Sequence, residues 1–449
     1  MKRHKPNRSR RPAREFVARD IELNLTATSH DGRGIGRVDG KTVFVSGALE
    51  GERVRARLTS DQSRYSEARC LEVLQPAAER VEPRCRHFGH CGGCQLQFMD
   101  ARHQPLVKQQ GLLNQLARAG VPAPEQIAQP LVAQSYGYRT RARLGVTFDK
   151  AGQVSLGFRQ WRDKQLVNLR QCPVLANELE ALLDPLNKWL QQFQLYAVTH
   201  IDLIATQARP ACVLRHTQAI PDNALAALRE LAQEHQLQLW LQAQKDPSLL
   251  IDLDGQSVDP RLSLPLPEYG LELGFHPADF TQVNTHINQL MLRQAMTWLN
   301  AEPGTKVLDL FCGMGNFTLP MASLGVEVTG IEAVETMVQR GRENAERNGL
   351  SQAQFRACDL TRTSLSDLLT ELGTADALLL DPPRAGAQQV CEQLPDSAIK
   401  RVLYVSCNPA TLARDAQTLT QGGYRLARLG VMDMFPQTAH VESMALFER

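Results

Sequence analysis

The sequence predicts a multidomain α/β protein: a small β-barrel, a central α+β segment with a cysteine cluster, and a doubly wound parallel sheet. Three observations predict it. Between about 15 and 75, roughly five short strand-like runs follow one another with no helical period. Three cysteines fall within the ten residues from Cys85 to Cys94. From about 280 onward, apolar runs alternate with helical stretches in the rhythm of βαβ units.

The barrel rests on the alternating Ile21–Leu25, on Gly32, Gly34 and Gly36, on Val43–Val45 and Val54–Leu58, and on Cys70–Leu74 at its end. Its size is that of an OB-fold. Arg33, Arg37, Lys41, Arg53, Arg55, Arg57 and Arg64 decorate it, as suits a nucleic-acid module or a solvated strand face. Residues 1–14 hold seven Lys or Arg and no acid, so the net charge of +2 conceals an acidic body. That arm reads as a disordered polyanion-binding tail or a solubilising end, and Pro6 and Pro12 argue against an amphipathic transit peptide.

Composition sets the bounds. With 449 residues, 43% hydrophobic and 22% charged, the chain is neither collagen-like nor coiled-coil nor wholly disordered. No apolar run approaches the roughly 18 residues that span a bilayer, and no secretory leader is expected. Ten cysteines in such a chain predict a reducing, cytoplasmic setting with metal-binding or catalytic thiols.

The central segment, expected over 76–278, begins with the cysteine cluster, and 101–118 reads as a helix. Tyr136–Val146 reads as a strand carrying Arg139, Arg141 and Arg143 on one face, either solvated or holding phosphates. Residues 176–260 give mixed signals without recognisable chemistry. Cys85-x5-Cys91-x2-Cys94, with Cys172 before Pro173, is a metal-site pattern that suits zinc or an iron–sulfur cluster. His87 and His90 lie in the same loop and are alternative zinc ligands.

In the C-terminal segment, 279–449, Val307–Phe317 (VLDLFCGMGNF) is a buried strand ending in a glycine turn that opens a helix. Glu332, Asp359 and Asp381 close the next three strands. A carboxylate at such a strand end accepts hydrogen bonds from ribose hydroxyls, and the set points to a nucleoside ligand without phosphates; S-adenosylmethionine fits. Cys407, in YVSCNP, sits at the same sheet edge near a helix N-terminus, a candidate nucleophile with a lowered pKa. Glu442 precedes the last strand as a candidate general base.

FTQVN at 280–284, DLFCGMGNF, LLDPPRAG, YVSCNPATLARD and HVESM together resemble the RNA uracil-C5 methyltransferase family, and the barrel resembles a TRAM domain. The resemblance covers essentially residues 12–449 and is closest to the branch acting on 23S ribosomal RNA. It implies S-adenosylmethionine contacts at Gln282, Phe311, Asn316, Glu332, Asp359 and Asp381, a nucleophile at Cys407 and a general base at Glu442. It also implies a 4Fe-4S cluster on Cys85, Cys91, Cys94 and Cys172, moving the metal reading from zinc to iron–sulfur. A monomer is expected. A tRNA uracil-C5 methyltransferase, or a non-catalytic ribosome-assembly protein, is the alternative.

Overall fold

The computed structural model describes residues 17–29, 31–243, 249–300 and 302–449; the basic stretch 1–14 lies outside the described residues. They divide into two compact units, one ending at Arg80 and the other spanning Val81–Arg449.

In the first unit, β1 (Asp20–Thr28), β2 (Gly34–Val38), β3 (Lys41–Ser46), β4 (Arg53–Asp61) and β5 (Tyr65–Gln75) close a barrel in the order β1-β2-β3-β5-β4. Side chains alternate across each strand, so Ile21, Leu23 and Leu25 meet Val43, Val45, Val54, Ala56 and Leu58 inside. The outward residues correct the picture of a free basic face. Arg53 pairs with Glu22 at 2.9 Å, Arg55 with Glu72 at 2.5 Å, Arg57 with Asp20 at 2.7 Å and Arg33 with Glu67 at 2.7 Å. Lys41 pairs with Asp61. Acids at the facing positions of neighbouring strands turn most of this arginine surface into cross-strand ion pairs.

The second unit opens with α1 (Gln104–Arg118) and the two-residue β6 (Gln126–Ile127). Next come β7 (Arg141–Phe148), β8 (Val154–Gly157), α2 (Asn177–Glu180), α3 (Leu183–Phe193), β9 (Val198–Ile204), β10 (Ala211–His216), α4 (Asp222–Glu234), β11 (Gln238–Ala243), β12 (Leu250–Ile251) and β13 (Ser257–Val258). Their strands form one sheet, β13-β12-β11-β10-β9-β7-β8. The stretch 176–260 reads ambiguously because β9, β10 and β11 are buried almost end to end, leaving no period to separate strand from helix.

A hairpin of β14 (Leu262–Leu266) and β15 (Leu271–Phe275) leads to α5 (Thr285–Leu299). The alternating part is β16 (Lys306–Leu310), α6 (Thr318–Ser323), β17 (Glu327–Glu332), α7 (Glu335–Arg347), β18 (Ala353–Ala357), α8 (Leu365–Leu372), β19 (Ala377–Leu380), α9 (Gln388–Gln393), β20 (Arg401–Ser406), α10 (Pro409–Gln421), β21 (Arg425–Met432) and β22 (Glu442–Glu448). The sheet runs β18-β17-β16-β19-β20-β22-β21-β6. Its first five strands are parallel and β22 is antiparallel between β20 and β21.

Two early elements belong to this late sheet. β6 pairs in parallel with β21, Gln126 opposite Arg428, while Leu112 and Leu116 of α1 share a core with Leu412 and Leu419 of α10. Both fall within 76–278, the segment expected from the sequence to be separate from this sheet.

Candidate functional site

The register of the C-terminal sheet assembles the site. Leu310 of β16 lies beside Leu380 of β19, and Leu380 beside Tyr404 of β20. The β20–β22 ladder ends with Ser406 opposite Ser443. One step beyond that pair, Cys407 leaves β20 where Glu442 enters β22, so nucleophile and carboxyl candidates stand side by side on adjacent strands. Asp381 follows β19 at the same edge, with Phe311 and Glu332 at the ends of β16 and β17.

Electrostatics mark this edge. Burial, with Asp381 nearby, pushes the Glu442 carboxyl up to about 8, and burial pushes Asp381 up to about 7. Cys407 departs from expectation: its thiol is raised, not lowered, first by burial and then by Glu442 and Asp381, with Arg384 opposing. The α10 N-terminus gives it no compensating donor, because Asn408 caps the helix by accepting the Ala410 N–H and Pro409 has no N–H. The resting site therefore holds Cys407 as a thiol.

The loop of Asp381 is braced against α10. Asn408 Nδ2 donates to Arg384 O at 3.0 Å, and buried Asp415 accepts from Tyr404 Oη at 2.7 Å and Ala387 N at 2.8 Å.

The glycine turn takes a backbone that only glycine adopts freely. Gly313 and Gly315 take φ of +56° and +97°, and a Cβ on Gly315 would stand 2.8 Å from the Phe355 ring. Phe311 has φ +65°, a left-handed conformation rare outside glycine. Glu332 accepts the N–H groups of Gly313 at 3.2 Å and Val334 at 3.0 Å. Asn316 exchanges two amide hydrogen bonds with Asn288, at 2.9 and 3.0 Å. Gln282, half-buried, lies between Thr281 and Val283, and Val283 O accepts the Thr140 N–H at 2.8 Å. Asp359 is exposed, and its carboxylate, which accepts from Thr361 Oγ1 at 2.7 Å, is held below the usual range by that bond.

Cys407, Glu442 and Arg384 line a cavity of about 680 Å³, together with Phe280, Arg139 and Trp161. Cys85, Cys91, Cys94 and Cys172 line the same cavity, and all ten cysteines are free. Burial pushes the Cys94 thiol to about 11 and Cys172 to about 12; Cys85 and Cys91 raise both further, and Cys94 also raises Cys172. Among the described residues, however, no group of three or more His, Cys, Asp or Glu is gathered about one point to hold a metal ion. Of the arginines expected on one strand face, only Arg139 faces this cavity. Arg141 is half-buried and donates to the Pro277 and Asp279 carbonyls, and Arg143 pairs with Asp202 at 2.6 Å.

Several residues were not anticipated. Asp309, buried in β16, accepts from Thr318 Oγ1 at 2.6 Å through one oxygen, leaves the other unpartnered, and is pushed up to about 7 by burial. Its position inside an apolar strand was the available signal. Lys108 and Gln104 of α1, and Gln437 of the segment before Glu442, are buried and gave no signal of spacing.

A twisted parallel sheet with one antiparallel insertion, a glycine turn after its first strand and acids along its carboxyl edge defines a Rossmann-like methyltransferase. The chain belongs to the tRNA (Uracil-5-)-methyltransferase family, whose model matches residues 107–449; a TRAM domain model matches residues 14–71. It is 42% identical over 447 residues to the 23S rRNA (uracil(1939)-C(5))-methyltransferase RlmD of Hahella chejuensis, covering 98% of this chain and 99% of that one. The enzyme of the same name from Alkalilimnicola ehrlichii is 43% identical over 442 residues, with 98% and 99% covered. The crystal structure of Pyrococcus abyssi tRNA (uracil-54, C5)-methyltransferase with S-adenosyl-L-homocysteine superposes with a TM-score of 0.71 over 95% of this chain and 100% of that one, at 20% identity, a likeness of fold. No helix among the described residues is long and apolar enough to cross a membrane.

Proposed function

We propose that this protein is an enzyme that transfers a methyl group from S-adenosylmethionine to C5 of a uridine in 23S ribosomal RNA. The observation that carries it is the pairing of Cys407 with Glu442 at the ends of β20 and β22, in a chain 42% identical along its length to an enzyme named for that reaction. S-adenosylmethionine supplies the methyl group as an electrophilic sulfonium. Gln282, Phe311, Asn316, Glu332, Asp359 and Asp381 are the residues proposed to hold it; the places of Phe311, Glu332 and Asp381 at the ends of β16, β17 and β19 support this.

Uracil C5 is a weak nucleophile. Addition of Cys407 Sγ to C6 converts the ring to an enolate whose C5 attacks the methyl carbon. Because the thiol pKa is raised, the Cys407 proton must pass to solvent as the base docks, which leaves Glu442 free for the later step. After transfer, Glu442 removes the remaining C5 proton, and elimination frees Cys407 and 5-methyluridine. The uridine reaches this edge only by leaving its stack.

The four cavity cysteines are proposed to hold a 4Fe-4S cluster. Four free thiols lining one cavity support this. The cluster would act as a structural clamp, since the methyl transfer involves no change of oxidation state. Anaerobically purified protein should contain iron and acid-labile sulfide in equal amounts, and Cys172→Ser should lose both.

The decisive test offers methyl-labelled S-adenosylmethionine with unmodified 23S rRNA and, separately, unmodified tRNA. Label in 5-methyluridine from 23S rRNA alone is expected; label in tRNA alone overturns the substrate. Cys407→Ala should abolish transfer, and Glu442→Gln should accumulate a denaturant-stable RNA–protein adduct.

A further inference from the structure

The segment between β21 and β22, which delivers Glu442, is held by the cysteine loop through a clasp of buried amides. Gln437 is 1% exposed and has φ +67°, a conformation that persists only where its surroundings over-determine it. Its carbonyl accepts the N–H of Gln95 at 2.9 Å and of Leu96 at 3.0 Å, the two residues after Cys94. Its own N–H donates to Gln104 Oε1 at 2.8 Å, and its Oε1 accepts from Gln104 Nε2 at 3.0 Å. Fully buried Gln104 also donates to the carbonyls of Leu96 and Met99, at 3.1 and 3.0 Å.

Further bonds run the same way. Gln95 Nε2 donates to Gly92 O at 2.9 Å, between Cys91 and Cys94, while its Oε1 accepts the Ala439 N–H at 3.2 Å. Gln97 Oε1 accepts the Cys85 N–H at 3.0 Å. Lys108 anchors the start of the segment, donating to Asp433 at 2.6 Å and to Phe435 O at 3.1 Å. The loop that carries three cavity thiols and the segment that ends in Glu442 thus share hydrogen bonds at both backbone and side chain. In a buried, fully satisfied network, such bonds shift together.

We infer that Gln104 and Gln437 are positioning residues that lock the cysteine loop to the Glu442 segment, so that the arrangement of the thiols sets where the base stands. The inference rests on Glu442 acting as the proton acceptor in the release of product. Disturbing the clasp should then slow release while sparing the attack by Cys407, whose neighbour Asn408 is tied separately to Arg384 O.

The experiment compares the full-length protein with its Gln104→Met, Gln437→Gly and Glu442→Gln variants on 23S rRNA, under single-turnover conditions. For the two clasp variants, adduct formation is expected within about twofold of the parent, with release slowed at least about tenfold. Equal slowing of both steps, or of neither, overturns the inference. Amide exchange gives an independent reading: in Gln437→Gly, residues 85–97 and 433–441 should exchange faster together while β16–β20 stay protected. Faster exchange in one segment alone overturns the coupling. If Glu442→Gln itself builds no adduct, the assignment of the base fails. If it does and the clasp variants do not, only the clasp fails.

Discussion

At Glu442 the chemistry and the stability of the protein pull in opposite directions. Its carboxyl titrates near 8 in the fold, against an ordinary value near 4.5. Below about 4.5 both folded and unfolded chains are protonated there, and the group contributes its full stabilisation. Between that value and about 8 only the unfolded chain is ionised, so the contribution is lost as pH rises through the folded value. Glu442→Gln, which cannot ionise, should gain Tm relative to the parent between pH 5 and pH 9, measured by thermal melts on the RNA-free protein. Product release by the parent should rise with pH up to about 8 and then level, because Glu442 must be ionised to accept the proton. Both residues of this pair could be found in the sequence because each follows or precedes an apolar run at a sheet edge. The direction of the Cys407 shift could not: its helix dipole is readable locally, whereas the burial that outweighs it, and the two carboxyls that add to it, depend on other strands.

At the scale of elements, α1 is the part whose role the sequence concealed. It has an ordinary amphipathic pattern, yet its Lys108 makes a buried pair with Asp433, the two side chains 2% and 5% exposed. Burial lowers the Lys108 pKa while Asp433 and Glu442 oppose that shift. Lys108→Met strands the Asp433 carboxylate and should cost about 3–5 kcal/mol in urea denaturation. Lys108→Met with Asp433→Leu should recover much of that loss, since an apolar pair often replaces a buried ion pair without penalty. The parallel strands β16, β17, β19 and β20 were readable because each is a short, largely apolar run closed by an acid or followed within two residues by a cysteine. β6 was not, being two residues long and stabilised by an edge strand far along the chain. Neutral amides such as Gln104 and Gln437 have no periodic signature, and their pairing spans 333 positions.

For the whole molecule, the cavity and the cofactor edge are built entirely within Val81–Arg449. Removing the residues up to Arg80 should leave affinity for S-adenosylhomocysteine within about threefold, measured by calorimetry, while weakening RNA binding. The barrel's outward arginines are largely neutralised by facing acids, so its loss should change the slope of RNA affinity against salt by fewer counterions than its arginine count suggests.

The pairing of β6 with β21 also sets an order of events during synthesis. Gln126 waits for Arg428, about 300 residues later, before its strand has a partner. Until then α1 offers an uncovered apolar face, and Lys108 and Gln104 lack Asp433 and Gln437. Closing so long a loop is slow and entropically costly, so the nascent chain passes through a stage with its parallel strands formed and this flank unprotected. Emergence of β21 and β22 ends that stage and in the same motion brings Glu442 to Cys407. A ribosome stalled before that point holds a chain with the turn for its methyl donor but no base to finish a turnover.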